Sequence, residues 1–179
     1  MKRLTLVLAV TVIAISCFGQ KSILPYKDGA ITYSEIINLD SSYKKNDLYI
    51  NAKRFFVEVF KSGRDVIQLD DKEAGLIIGK GYFNIVWKVN FMNSYDMQIW
   101  HVVKIYVKDA KYKYEITDFA YRYFVPSSQY ISGGWQEGNY NNWKGHNNDK
   151  IEKQLDLDVQ NEISKMKNIM KSKNYTSDF

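Results

Sequence analysis

The chain has 179 residues, of which 45% are hydrophobic, 15% aromatic and 25% charged, and its formal net charge is +5. This composition is that of a globular protein rather than a disordered one, and so small a net charge does not argue for a nucleic-acid partner. The single cysteine, Cys17, excludes a disulfide framework and a cysteine-ligated zinc site.

Residues 1–19 have the layout of a secretory signal peptide. Two basic residues precede an apolar run, Leu4–Ile15, and small residues follow it. We predict cleavage after Gly19 and an exported protein, either periplasmic or secreted. The alternative is a lipoprotein signal in which Cys17 is acylated and tethers the chain to an envelope membrane, although Ala14 stands where that signal prefers leucine. Such a lipid is the only membrane attachment that we expect.

Residues 20–29 are predicted to form a linker and residues 30–179 a single α+β domain. A strand candidate, residues 30–38, is rich in β-branched side chains. A helix of about fourteen residues follows it, because apolar residues recur at intervals of three and four before Gly63. These apolar residues are Leu48, Ala52, Phe55, Phe56 and Val59.

Four further strand candidates follow this helix. They are "DVIQLD", "AGLIIGKGYFNIVWKV", "MQIWHVVKIYVK" and "KYKYEITDFAYRYF". The last two are joined through Asp109 and Ala110, and a hairpin loop of two or four residues gives them one register. In that register three pairs share a face: Val107 with Tyr112, Ile105 with Tyr114, and Val103 with Ile116.

The region from 125 to 148 has no helical or strand period. We predict a long loop there, and such a loop in a compact domain is usually functional or disordered. A helix over 149–172 follows, opened by Asp149 and Glu152 in the spacing of a capping box. Since both helices have one apolar face and the strands alternate, we predict an antiparallel sheet with two helices on one face, in the order β-α-β-β-β-β-α. The apolar stripe of the last helix is Ile151, Leu155, Val159, Ile163, Met166 and Met170.

Gly79 and Gly81 interrupt the apolar side of the second long strand. Alternation places them on the same side as Phe83 and Trp87, facing the helices. A missing side chain there lets a helix or a ligand approach the backbone. A phosphate loop is disfavoured, because it needs a third glycine and a helix directly after the turn. We favour close packing over a ligand niche, with the C-terminal helix lying across both positions.

Three blocks of the sequence resemble a known family. They are "KKNDLYINAKRFFVEVF", "GRDVIQLDDKEAGLIIGKG" and "VKIYVKDAKYKYEITDF". Over residues 30–123 the chain is similar to domain of unknown function 4468, a family of exported bacterial proteins with a TBP-like fold. The resemblance implies a curved antiparallel sheet with helices packed across it, similar to helix-grip proteins that hold apolar ligands, and it implies no activity. Ala110 replaces the glycine of the family, which favours a four-residue type I loop because alanine is strained at positive φ.

The residue types give little support for catalysis or metal binding. The chain has two histidines, no HExxH, GxSxG or phosphate-loop motif, and no acidic or histidine cluster at ligand spacing. We therefore predict no enzyme, no cofactor and no metal, and we rank a hydrolase last. In the predicted register His101 falls opposite Asp118. The interpretation that we favour is a hydrogen-bonded pair at the end of the sheet. The alternative is a polar anchor in a ligand cavity lined by Phe83, Trp87, Ile105 and Tyr114.

The predicted loop carries aromatic residues among amide side chains, namely Tyr130, Trp135, Tyr140 and Trp143. These residues either anchor the loop on the sheet, which we favour, or contact a glycan or protein partner. The function predicted first is a non-catalytic exported module that holds a small apolar ligand or a partner segment between sheet and helix. The alternative is an envelope interaction protein that uses the aromatic loop.

Overall fold

The structure is a computed structural model that describes residues 23–60, 66–143, 145 and 148–173. The predicted signal peptide, with Cys17, and Gly63 lie outside these residues. No helix in the described part is long and apolar enough to cross a membrane. The elements are β1 (Tyr26–Lys27), β2 (Ala30–Ile31), β3 (Tyr33–Asn38), α1 (Lys45–Phe60), β4 (Ile67–Asp71), β5 (Leu76–Lys88), β6 (Ser94–Lys108), β7 (Lys111–Val125), β8 (Gly134–Asn139) and α2 (Asn148–Met170).

The main sheet is antiparallel throughout and has the strand order β3-β7-β6-β5-β4. On the side of β7 away from β6, β3 pairs with residues 111–116 and β8 pairs with residues 120–125. The two helices contact each other and lie against β5 and β6. The fold is therefore mixed α+β, an antiparallel sheet with two helices, which confirms the predicted class.

Part of the predicted linker is folded. β1 and β2 form a two-stranded hairpin, and the two residues between them, Asp28 and Gly29, have φ angles of 51° and 79°. Two-residue hairpin turns favour this left-handed backbone, and Asp-Gly is one of the dipeptides that adopt it most readily. The linker prediction is wrong here because it gives the Asp-Gly dipeptide no weight as a turn signal.

The β6–β7 hairpin has the predicted register but a shorter loop. Lys108 pairs with Lys111, so that the turn consists of Asp109 and Ala110 alone. Ala110 has a φ of 58°, a conformation that costs a residue with a Cβ roughly 1–2 kcal/mol. The four-residue loop is therefore wrong. The predicted pairs are all present: Val107–Tyr112, Ile105–Tyr114 and Val103–Ile116.

Backbone hydrogen bonds hold this strained turn in place. Ala110 N donates to Tyr43 O at 2.9 Å, and Ala110 O accepts from Leu39 N at 2.8 Å. The variant Ala110→Gly is expected to raise the free energy of unfolding by about 1 kcal/mol, because glycine adopts this φ without strain. Equilibrium urea denaturation measures the change. A lower free energy of unfolding for the variant would show that backbone strain at Ala110 does not reduce the stability of the protein.

The core between the sheet and the helices is continuous. The whole predicted stripe of α2 is buried in it, together with Leu48, Ala52, Phe55 and Phe56 of α1. α2 covers Asn148–Met170, within two residues of the prediction at each end. Both helices therefore cover the same face of the sheet, and a site between sheet and helix lies on that face.

Polar contacts fasten α2 to the β3 edge of the sheet. Tyr33 OH donates to Asp156 Oδ1 at 2.8 Å, and Lys167 Nζ donates to Glu35 Oε2 at 2.6 Å. The hydrogen bond from Lys167 holds the pKa of Glu35 below its usual range, and burial raises the pKa of the Tyr33 hydroxyl. Since the Lys167–Glu35 pair is partly exposed, it positions the helix more than it stabilises the fold.

Candidate functional site

Gly79 and Gly81 face the helices as predicted, but the helix above them is α1. A Cβ on Gly79 would lie 2.3 Å from Phe56 Cε1, and one on Gly81 would lie 2.1 Å from Phe60 Cε1. Four residues of a helix advance about 6 Å, close to the advance of two strand residues, so residues four apart on α1 match residues two apart on β5. Close helix packing explains both glycines, and the prediction that the C-terminal helix covers them is wrong.

His101 pairs with a carboxylate on α2. His101 Nε2 lies 3.0 Å from Glu162 Oε2, and the two side chains are 0% and 2% exposed. Neither His101 Nδ1 nor Glu162 Oε1 has a hydrogen-bond partner among the described residues. This buried pair joins the middle of the sheet to the long helix.

Aromatic rings enclose the imidazole of His101. Phe83 of β5 stacks on it with ring centroids 4.5 Å apart, and Phe119 of β7 stacks at 5.8 Å. Phe60 of α1 lies at 6.1 Å. These apolar surroundings strengthen the hydrogen bond between His101 and Glu162. They also raise the cost in folding free energy of removing either partner.

Asp118 does not face His101. The register between β6 and β7 shifts by one residue at this point, so that Asp118 and Phe119 together stand opposite His101. Asp118 has a φ of 57°, and its Oδ2 accepts a hydrogen bond from Thr117 Oγ1 at 3.1 Å on the surface. The bulge turns the buried Phe119 inward instead. The predicted His101–Asp118 pair is wrong because it assumes strict alternation along β7, and a bulge interrupts that alternation.

The sequence does contain a signal for the true partner of His101. Glu162 lies three residues after Val159 and four before Met166, which is the spacing of the apolar stripe on α2. A carboxylate at such a position either interrupts the apolar face or meets a buried partner. Alternation also places His101 on the inner face of β6, between Ile99 and Val103.

Most of the other predicted ligand contacts are core residues. Ile105 is fully buried. Tyr114 is also buried, and its hydroxyl donates to Glu35 Oε2 at 3.0 Å. Trp87 lies near the end of β5, where its ring packs against that of Trp143 with centroids 4.7 Å apart. The predicted contacts therefore fall into two groups: residues packed in the core, and Trp87 at the end of β5.

An open groove of about 440 Å³ lies between the end of β5 and the first turns of α2. β4 pairs with β5 only as far as Gly79, and within the described chain no strand pairs with the same side of β5 from Lys80 to Val86. Consecutive residues of β5 line the groove, so it follows the edge of this strand. The lining residues are Asn84, Ile85, Val86, Trp87, Lys88, Lys150, Ile151 and Gln154.

The predicted loop over 125–148 contains a strand. β8 forms because β3 leaves the last part of the β7 edge open, and β8 pairs there. Tyr140 is buried and Trp143 packs against the core, whereas Tyr130 and Trp135 are exposed. Two of the four aromatic residues thus anchor the segment and two face solvent. Among the described residues, no group of three or more His, Cys, Asp or Glu side chains could hold a metal ion.

Comparison with known proteins gives a family and a fold. The family model described as "Domain of unknown function (DUF4468) with TBP-like fold" matches residues 33–122. A DUF4468 family protein from Bacteroides ovatus ATCC 8483 is similar, with a TM-score of 0.64 and 13% identity over 85% of this chain and 92% of that chain. A TBP-like protein from Parabacteroides distasonis ATCC 8503 has a TM-score of 0.61 and 12% identity over 83% and 97%. No curated protein matches the chain.

Proposed function

The chain belongs to the DUF4468 family of domains of unknown function with a TBP-like fold, and we propose that it is an exported, non-catalytic binding module. Its ligand is an extended segment of a partner chain, or a small apolar molecule of similar width, held between β5 and α2. The observation that carries this proposal is the groove of about 440 Å³ at that place, a size typical of ligand sites. Export is proposed from the signal-peptide layout of residues 1–19.

An extended segment suits the groove because of the strand beside it. A partner strand that adds to an unpaired sheet edge gains affinity from main-chain hydrogen bonds and specificity from side-chain pockets. Ile85 and Ile151, which line the groove, are buried and offer apolar contact, while Lys150 and Gln154 add polar groups at its helix side. An open edge is otherwise a liability for aggregation, so natural proteins tend to cover it or use it.

The absence of a catalytic role is proposed from the geometry of the buried pair. His101 and Glu162 form an ionisable pair in the interior of the molecule, and both side chains are shielded from solvent. General acid–base catalysis requires a group within hydrogen-bond reach of the substrate. Among the described residues that line the groove, the polar side chains are those of two lysines and two amides, together with the indole of Trp87.

The variant Gln154→Trp tests the groove by filling it. Native mass spectrometry of protein purified from its own cell envelope is expected to show a co-purifying ligand or peptide on the wild-type chain. We expect roughly tenfold lower occupancy with Gln154→Trp, and unchanged occupancy with Lys153→Trp, which alters an exposed residue on the same turn of α2. Equal occupancy in the two variants, or no bound mass on the wild-type protein, would count against the proposal.

The second candidate function is contact with an envelope glycan through exposed aromatic residues. Trp135 is 54% exposed, and Arg122 lies over one face of its ring, 4.3 Å from the centroid, where it holds the ring in place and offers hydrogen-bond donors beside it. It ranks second because Tyr140 and Trp143 face the core. An oligosaccharide that stays bound to Gln154→Trp but is lost from Trp135→Ala would favour this function over the first.

A further inference from the structure

Two connections between strands expose large apolar side chains. In the β5–β6 connection Phe91 is fully exposed and Met92 is 85% exposed. In the β7–β8 connection Tyr130 and Ile131 are 87% and 57% exposed. Single exposed apolar residues are common on protein surfaces, whereas groups of them mark interaction surfaces. These four residues are called the apolar tips below.

The strand register places both tips at the same end of the sheet. Met97, near the start of β6, pairs with Tyr123, near the end of β7, so the two connections leave the sheet side by side. A cavity of about 390 Å³ joins the bases of the two connections, with Ser94 on one side and Pro126 and Trp135 on the other. The two tips therefore lie beside each other at one end of the sheet.

Local hydrogen bonds hold both tips in defined turns. Asn90 Oδ1 accepts from Met92 N at 2.9 Å. Ser128 Oγ accepts from Tyr130 N at 3.3 Å and from Ile131 N at 3.2 Å. These turns hold the apolar side chains away from the body of the protein. Burial against that body would otherwise lower their free energy.

Basic and aromatic side chains lie directly behind the tips. Lys88 forms the base of the first tip, and the next row is aromatic, with Trp87 opposite Tyr95 and Phe124 opposite Trp135. Arg122 and Glu137, Asp96 and other charged residues follow further along the strands. Tryptophan and tyrosine lie at the headgroup level of a membrane interface, and a lysine beside them keeps its stem in apolar surroundings while its ammonium group meets the headgroups.

We propose that the apolar tips insert into the interfacial region of a lipid bilayer and attach the domain to the membrane surface. The two tips project from separate connections, so a protein partner would need two matching pockets. A lipid interface accepts apolar side chains in any arrangement, with an affinity that grows with the apolar area buried. This proposal depends neither on the groove nor on a lipid at Cys17.

A fluorophore placed at the first tip tests this proposal. In the chain as its cell processes it, Cys17 is predicted to be removed or acylated, so the variant Met92→Cys supplies one free thiol for a nitrobenzoxadiazole label. With vesicles of equal parts phosphatidylethanolamine and phosphatidylglycerol, we expect the emission to rise several-fold and shift to shorter wavelength, and brominated lipids to quench it. The control is Ile36→Cys, which is 61% exposed on β3 and pairs far from the tips.

Three outcomes would overturn the proposal. They are an emission at position 92 that vesicles leave unchanged, an equal response at position 36, and a response that needs no lipid and grows with protein concentration. The last would assign the tips to a second copy of the chain. Phe91→Ser with Tyr130→Ser, added to the labelled Met92→Cys chain, is expected to remove most of the response. Both side chains are exposed, so an unchanged thermal midpoint verifies that the fold is intact.

Discussion

The variant His101→Phe is expected to lose about 3–5 kcal/mol of folding free energy at neutral pH. A phenylalanine ring fits the space beside Phe83 and Phe119, but it leaves the carboxylate of Glu162 buried without its partner. Removing one member of a buried pair costs more than the pair itself contributes, since the remaining group still loses its hydration. Equilibrium urea denaturation gives the change in free energy.

A second substitution separates the lost pair from a damaged core. In the double variant His101→Phe with Glu162→Leu no polar group is left unpaired, and stability is expected to return to within about 1 kcal/mol of the wild type. The matched surface variant Glu58→Leu removes an exposed carboxylate 2.9 Å from Arg54 Nε and is expected to change stability by less than about 0.5 kcal/mol. Equal losses in the single and double core variants would mean that the two side chains are not coupled.

Gly79→Ala is expected to destabilise the protein by about 2–3 kcal/mol. The new Cβ would lie 2.3 Å from Phe56 Cε1 and 2.7 Å from Cδ1. Phe56 is fully buried, and its ring contacts those of Phe55 and Phe60, so it moves only if α1 moves. The measurement is again equilibrium denaturation, combined with circular dichroism to show that the helices remain.

Gly134→Ala is the matched control for this prediction. Gly134 also lies in a strand, but a Cβ there meets no atom within 4 Å, so we expect no loss and a gain of up to about 1 kcal/mol. Adding Phe56→Leu to Gly79→Ala is expected to recover about 1 kcal/mol, because the smaller side chain vacates the space. If both alanine variants were equally stable, close packing would not be the reason for glycine at position 79.

Periodicity predicts which face of an element is buried, because the direction of a side chain follows from the local backbone. For this reason the sequence places Gly79 and Gly81 inward, aligns Val103 with Ile116, and finds the stripe of α2. The same reasoning fails after one irregular residue. Asp118 adopts a positive φ, and every residue beyond it on β7 changes face relative to a strict alternation.

Contacts between distant elements are harder to predict, because they depend on how the elements dock. Nothing in the sequence decides that α1 rather than α2 covers Gly79, although the four-residue spacing of Phe56 and Phe60 fits the two-residue spacing of the glycines. The segment "GWQEGN" has no apolar alternation and becomes β8 only because part of the β7 edge is open. The groove at the end of β5 follows from the shortness of β4, which is again a property of the assembled sheet.

Photocross-linking from the groove is the most direct test of the proposed binding function. A benzophenone amino acid replaces Gln154 in the protein in its own cells, and irradiation is followed by mass spectrometry of the purified chain. We expect a covalent adduct with an extended peptide or an apolar molecule at position 154, and none when the same amino acid replaces Lys153. No adduct at position 154, or the same adducts at both positions, would contradict the proposed binding function.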